Sequence, residues 1–338
     1  MPKVSIIIPC FNEKNTIGHL LNAIAEQTYP LTDLEVIIAD GGSDDGTVDV
    51  INGFLSSHPN LRIKIVINSK KIIPAALNLA IKESQGEIII RLDAHSIPSS
   101  NYVELCVQEL ENGLGENVGG IWLIKPQGNS IFARSIAMAA SHPIAVGDAH
   151  YRYTEKASYV DTVPFGAFFR SLIDKIGTFD ESLLSNEDYE FNVRIRESGG
   201  KVWLNPDIKS VYFARKNYRD LAKQYWRYGF WKMEMLRRYP KTIRLRQALP
   251  PLFLSCLLFL LFLSIWYHIA RLLLIVQISI YFVSLIFGSL PVTFKVKDLR
   301  LLLFVPLAII TMHQSWAFGF ICNFFYNLLN IKTKLHAK

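Results

Sequence analysis

From Leu249 to Phe294 the chain carries one formal charge, Arg271, in 46 residues. An apolar stretch of that length makes two helices of about 20 residues each, the length that crosses a bilayer core. Tyr267, His268 and Arg271 mark the turn between them, and Trp266 and Tyr267 suit a membrane interface. A third apolar run, Leu301 to Ile331, also lacks formal charge but is interrupted by Pro306 and by the polar cluster His313, Gln314, Ser315. A hairpin buried in a soluble protein would keep a polar face, and these runs have too few polar residues to supply one. A membrane region is therefore expected over 247–331, with a basic tail at 332–338.

The net charge of +7 is unevenly placed. Residues 1–214 hold 18 basic and 26 acidic side chains, whereas 215–246 hold 11 basic residues against Asp220 and Glu234. The chain reads as an acidic domain over 1–214, a basic amphipathic collar over 215–246, and a nearly uncharged anchor. A domain that is acidic overall argues against a nucleic-acid partner and leaves membrane lipids as the partner of the collar. The collar and Lys295, Lys297 and Arg300 fall on one side of a two-helix hairpin, which the positive-inside rule makes cytoplasmic. The expected location is thus the cytoplasmic (inner) membrane, multi-pass, with the catalytic domain in the cytoplasm. Lys332, Lys334 and Lys338 disagree if the third run crosses fully; a re-entrant or interfacial third segment removes the conflict. Val4–Ile8 is too short for a signal-peptide core and ends at Pro9. Cys10, Cys106, Cys256 and Cys322 are too scattered for a metal cluster or disulfide framework and read as packing residues.

Within 1–214, short apolar runs alternate with helical patterns. Val4–Ile8, Leu34–Ala39, Arg62–Ile67 and Glu87–Leu92 read as strands; Thr16–Gln27, Thr47–Leu55 and Pro74–Ser84 read as helices, the last with Pro near its start and Gly86 past its end. This is an α/β pattern, a mainly parallel sheet with helices on both faces. Such sheets bind ligands at the carboxyl ends of their strands, which selects Pro9–Asn12, Asp40–Thr47 and Asp93–His95.

The second of these, Asp40-Gly-Gly-Ser-Asp-Asp-Gly-Thr47, has glycines for tight backbone and carboxylates that accept from a base or sugar, although it would equally serve as a helix-capping turn. Asp93 and His95, two apart beyond a strand, can address one metal ion or diphosphate. Ser185-Asn-Glu-Asp-Tyr-Glu-Phe191 opens a helix in which Glu187 and Asp188 differ by about 100 degrees, so the two need not share a role. One suits a catalytic base, and both suit a helix N-terminus. Pro164–Phe169 is a small-residue loop fit to line a pocket.

Together, Val4-Ser-Ile-Ile-Ile-Pro-Cys-Phe-Asn-Glu13, the Asp40–Thr47 loop, Leu92-Asp-Ala-His95, Phe179-Asp-Glu181 and Asn186-Glu-Asp188 resemble, in that order, the family 2 glycosyltransferases over about residues 1–235. The closer likeness is to membrane-anchored bacterial glucosyltransferases of succinoglycan-type exopolysaccharide assembly, whose pattern includes a His at the second metal position. The resemblance implies a GT-A fold, a nucleotide-sugar donor (a UDP-sugar) and inversion at the anomeric carbon. It implies that Pro9, Phe11, Asn12, Glu13, Asp40, Gly41, Ser43, Asp45, Arg91 and Asp93 bind the nucleotide-sugar. It places Asp188 at the general base with Glu187 beside it, and Asp93 and His95 at a divalent cation, Mn²⁺ or Mg²⁺. His95 departs from the family's Asp, and a neutral imidazole suits Mn²⁺ better than Mg²⁺. Gln224, Arg227 and Tyr228 resemble the Gln-x-x-Arg-Trp motif of membrane polysaccharide synthases, implying acceptor or diphosphate contact; the same segment also describes a helix on an anionic leaflet. The implied reaction adds one sugar to a lipid-linked or saccharide acceptor in polysaccharide assembly. Transfer to a polyprenyl phosphate, a processive synthase and a non-catalytic nucleotide-sugar scaffold are the alternatives.

Overall fold

The structure is a computed structural model and describes residues 2–329. The expected tail at 332–338 and the end of the third apolar run lie outside the described residues. The chain divides into two compact units, residues 2–123 with 153–212, and residues 124–152 with those from 213 onward.

The first unit is an α/β domain. β1 (Val4–Cys10), β2 (Leu34–Asp40), β3 (Arg62–Ile67) and β4 (Ile88–Arg91) are parallel and lie in the order β3-β2-β1-β4. α1 (Ile17–Ala25), α2 (Thr47–Ser57) and α3 (Ile73–Glu83) make the crossovers. Because β1 and β2 sit mid-sheet with helices on either side, both faces of these strands are buried, and their isoleucines and valines show almost no exposed surface. Each such side chain contributes about 1.5–3 kcal/mol on burial.

The parallel pattern stops at β4. β8 (Ala167–Phe169) pairs antiparallel with it, and β5 (Ile97–Pro98), β6 (Asn117–Pro126), β7 (Ser158–Tyr159) and β9 (Val202–Ala214) extend the sheet to nine strands. α4 (Tyr102–Glu111) packs beside β8. α7 (Ser171–Ile176) follows β8, and α8 (Glu187–Glu197) precedes β9. Gly86, expected as a helix terminator, has another reason to be glycine. α3 ends at Glu83, and a Cβ on Gly86 would lie 2.6 Å from Ser5 Oγ and 2.7 Å from Ser5 N on β1.

The second unit is helical. α9 (Tyr218–Arg238), α10 (Leu245–Leu263), α11 (His268–Val296) and α12 (Leu301–Leu328) are joined by α5 (Ile131–Ala140) and α6 (Pro143–Val146). Residues 124–152, expected within the first domain, group here because Phe132 of α5 stacks edge-on against Tyr218 and Phe304, and Arg134 pairs with Asp298 at 3.1 Å. α10, α11 and α12 are each long and apolar enough to cross a membrane. Arg271 closes the α10–α11 turn by donating to Ser264 O and Ile265 O.

Against the expected interruption, α12 is continuous. Pro306 is its sixth residue and removes a single amide donor, while the His313 ring bonds Tyr281 OH through Nδ1 (3.0 Å) and Ala145 O through Nε2 (3.2 Å). Cys10 and Cys106 are buried and Cys322 is half-buried, whereas Cys256 is exposed on the apolar surface of α10, so packing within the protein does not account for Cys256.

Candidate active site

The loops that leave β1 and β2 are laced together. Asn12, held at φ 55°, donates its amide to Ser43 Oγ (2.8 Å) and accepts from Asp44 N on Oδ1 (3.0 Å). Glu13 N donates to Thr47 Oγ1 (2.8 Å), and Lys14 N to Asp45 Oδ2 (3.1 Å). Asp40 is buried and spends its carboxylate on its own loop, accepting from Gly42 N and Ser43 N at 2.9 Å and from Ser43 Oγ at 2.6 Å. The bond from Thr47 Oγ1, ahead of those from backbone amides, holds the Asp45 carboxyl below its usual value. Gly41 leaves room for Phe11, whose ring would sit 3.0 Å from a Cβ there. Pro9 is the penultimate residue of β1, opposite Ala39, and Phe11 stands half exposed with the Lys71 ammonium 5.5 Å from its ring centroid. Lys71, itself at φ 55°, carried no signal in the sequence because it follows β3, on a loop with no glycine or carboxylate pattern.

Glu13 also reaches across to the third strand end, where its Oε1 lies 3.0 Å from His95 Nδ1. The next link is Arg91, the last residue of β4 and almost fully buried. Its Nε and Nη2 donate to Asp93 Oδ1 at 3.2 and 3.1 Å, and Nη2 also donates to Glu187 Oε1 at 3.1 Å. Its Nη1 lies 3.9 Å from Asp188 Oδ2 and makes no hydrogen bond. Burial opposes the Arg91 charge, but Asp93, Glu187 and Asp188 outweigh it and raise its pKa.

Glu187 and Asp188 begin α8 behind Asn186, which sits at φ 66°. Their environments differ. Glu187 is buried, and burial first, then the Asp188 charge, pushes its carboxyl up to about 7 against the pull of Arg91. The Asp188 side chain is 36% exposed, and its Oδ1 accepts from Tyr189 N at 3.2 Å. The Pro164–Phe169 segment supports this arrangement: Phe165 adopts φ 65°, and Gly166 O accepts from Arg91 N at 3.0 Å. A Cβ on Gly166 would strike Asn117 Oδ1 at 2.5 Å, and Asn117 in turn donates to Asn192 on α8 (2.7 Å).

The raised Glu187 sets a pH dependence of stability. Between the ordinary carboxyl value of 4.5 and about 7 the folded chain binds more protons at this position than the unfolded chain, so its contribution to stability falls as pH rises through that window. Glu187→Gln removes the titration. Its melting temperature should gain on the wild type from pH 4.5 to 7, a difference on the order of a few kcal/mol, and run parallel to it below 4.5. Thermal unfolding of both proteins across that range checks this; parallel curves throughout would rule it out.

Among the described residues no group of three or more His, Cys, Asp or Glu side chains could hold a metal ion. Asp93 and His95 remain as a two-residue donor set, one carboxylate and one imidazole. Glu13 bonds the His95 ring at Nδ1, and Arg91 bonds Asp93 through Oδ1. This set fits a hexacoordinate cation that takes its other ligands from a diphosphate and water. The first unit thus gathers every candidate from Pro9 to Asp188. Gln224, Arg227 and Tyr228 lie on α9 in the second unit, where Gln224 Nε2 donates to Tyr228 OH (2.8 Å) and Gln224 Oε1 accepts from Arg215 Nε (3.3 Å).

A parallel sheet that turns antiparallel after β4, with acidic strand ends and an acidic helix N-terminus brought together by one arginine, is a GT-A-like architecture. The chain belongs to the glycosyl transferase family 2, whose model matches residues 5–177. It is 31% identical over 241 residues to a dolichyl N-acetyl-alpha-D-glucosaminyl phosphate 3-beta-D-2,3-diacetamido-2,3-dideoxy-beta-D-glucuronosyltransferase of Methanococcus voltae, covering 70% of this chain and 74% of that protein. It is 29% identical to the succinoglycan biosynthesis protein ExoA of Rhizobium meliloti, covering 72% of this chain and 73% of ExoA. In fold it is similar to the mannosyltransferase PcManGT of Pyrobaculum calidifontis, solved with GDP-Man and Mn²⁺, with TM-score 0.63, 21% identity, and coverage of 98% and 88%.

Proposed function

We propose that this glycosyltransferase moves one sugar, with inversion, from a nucleoside-diphosphate sugar to a hydroxyl of a lipid-linked saccharide at the cytoplasmic face of a membrane. The observation that carries this reading is the Arg91 cluster, which holds the acid pair at the start of α8 beside Asp93. The relatives support the acceptor class: the Methanococcus protein is named for a dolichyl-phosphate-linked sugar, and ExoA for exopolysaccharide assembly.

In the reaction the acceptor hydroxyl gives its proton to Asp188 while its oxygen bonds the anomeric carbon. The bond from that carbon to the diphosphate breaks, and the nucleoside diphosphate leaves with the electron pair. Asp188 suits the base role because it is the accessible member of the pair. Glu187 is walled in and acts on charge balance and on the seat of Arg91. A divalent cation held by Asp93 and His95 would supply neutralisation of the charge that grows on the diphosphate. The Pro9–Glu13 and Asp40–Asp45 loops bind the nucleotide; Asp40 acts by fixing the amides of its own loop.

The test is release of nucleoside diphosphate from a panel of donors, UDP-sugars first, by membranes holding the full chain. Release should require a saccharide-bearing lipid and fall at least tenfold with chelator. Product formed on bare polyprenyl phosphate would replace the acceptor class with the lipid phosphate itself. Binding of donor without any release would leave a scaffold instead of an enzyme.

A further inference from the structure

α12 has the length and composition of a membrane span, but its packing differs from that of its neighbours. The apolar windows of α10 and α11 are each 11% buried, whereas that of α12 is 39% buried. α9 is its largest single packing partner, and the two helices touch along their length in the same direction. Near one end Tyr218 OH donates to Phe304 O (2.8 Å); at the other, Arg237 Nη1 donates to Asn327 Oδ1 (2.5 Å). Between them a Cβ on Gly229 would lie 2.0 Å from Trp316 O, and one on Gly319 would lie 2.1 Å from Trp226 O, so the two backbones meet directly. Phe230 and Tyr326 pack edge to face beyond that point.

Contacts separated by 19 residues of α9, about 28 Å of helix, require the two axes to run close to parallel. One helix of such a pair cannot lie in the membrane plane while the other follows the normal. The α9 partner cannot enter hydrocarbon: Arg219, Lys223 and Arg227, spaced four apart, form an exposed basic stripe that continues at Arg237 and Arg238. Each such charge is costly at mid-bilayer even on the most lenient scale.

We infer that α12 does not cross the bilayer but lies with α9 as a paired platform at the headgroup level, beside a spanning α10–α11 hairpin. The lipid surface is the partner both flanks fit. Leu303, Leu307, Phe318 and Phe325 fall within one side of α12 and are exposed to meet acyl chains, while the α9 stripe meets anionic headgroups. Two side-chain bonds tie the middle of α12 to the hairpin: His313 bonds Tyr281 of α11, and Trp316 Nε1 donates to Gln247 O at the start of α10. The placement also puts both ends of α12 on the side of the collar, which reconciles Lys295 and Lys297 with the basic residues at 332–338.

The test uses the full chain with protease-cleavable epitope tags at its first residue, at its last residue, and in the turn at 264–267, in sealed vesicles of known orientation. Both terminal tags should be cleaved from the same face and the turn tag only from the other. Terminal tags on opposite faces would make α12 a span and overturn the inference. All three tags on one face would remove the spanning hairpin and overturn it as well. The readout is independent of catalysis, so loss of the proposed transfer reaction leaves it unaffected.

Discussion

Asp188→Asn should bind nucleotide-sugar as the wild type does and lose transfer by about 10²–10⁴-fold, the usual contribution of a positioned general base. The substitution is nearly isosteric, and an amide oxygen can still accept the Tyr189 N–H that now bonds Oδ1. What disappears is the basic oxygen on the exposed side of the pair. Arg91 then faces two carboxylates instead of three, which leaves the buried part of the cluster, Arg91 with Glu187 and Asp93, in place. Titration with the nucleotide alone should therefore give an unchanged affinity, and single-turnover transfer should show the whole defect. Turnover within a few fold of wild type would remove Asp188 from the base role, and a matching loss of nucleotide affinity would make it a donor contact.

The strands and helices of the first unit were legible because a strand buried on both faces reads as an unbroken aliphatic run, and β1 and β2 are of that kind. The strand ends followed from the topology that such runs imply. Period and composition carry no trace of long-range pairs. The bond from Glu13 to His95 joins residues 82 apart, and that from Arg91 to Glu187 residues 96 apart. Arg91 read as one of several donor-binding residues; burial against three carboxylates makes it the residue that seats the acid pair. The antiparallel half was obscure because its strands are short or one-sided, β5 and β7 being two residues each. Residues 124–152 looked like part of the α/β domain, since α5 is an ordinary amphipathic helix whose apolar face could bury against any neighbour. Its partners, Tyr218 and Phe304, come from segments far downstream. The same limit hid the role of α12, where hydropathy reports that a face is apolar and says nothing of what covers it.

The α9–α12 contact should be the most sensitive point of the second unit to an added side chain. Gly319→Leu places a branched chain where the carbonyl of Trp226 stands 2.1 Å from the Cβ position, with its carbon at 2.9 Å and Phe230 N at 3.0 Å. All three are backbone atoms of a helix, so no rotamer change relieves the clash, and the helices must separate along their shared face. Overpacking of a tight interior site costs about 1–3 kcal/mol, and this site belongs at or above the top of that range because the resisting atoms cannot turn aside. Separation would also strand Gly229, which meets Trp316 O in the reciprocal position, so Gly229→Leu should behave alike and the double variant should add little to either single one. Gly53→Ala is the control: it lies in α2 with no atom within 4 Å of the new methyl, and should stabilise by about 0.5–1 kcal/mol through helix propensity alone. Thermal unfolding in detergent, followed through the α-helical signal, reads all four variants. A Gly319→Leu protein that melts with the wild type would mean that α9 and α12 do not meet through their backbones. Equal gains from the control and the crossing glycines would mean that helix propensity, not packing, sets the response.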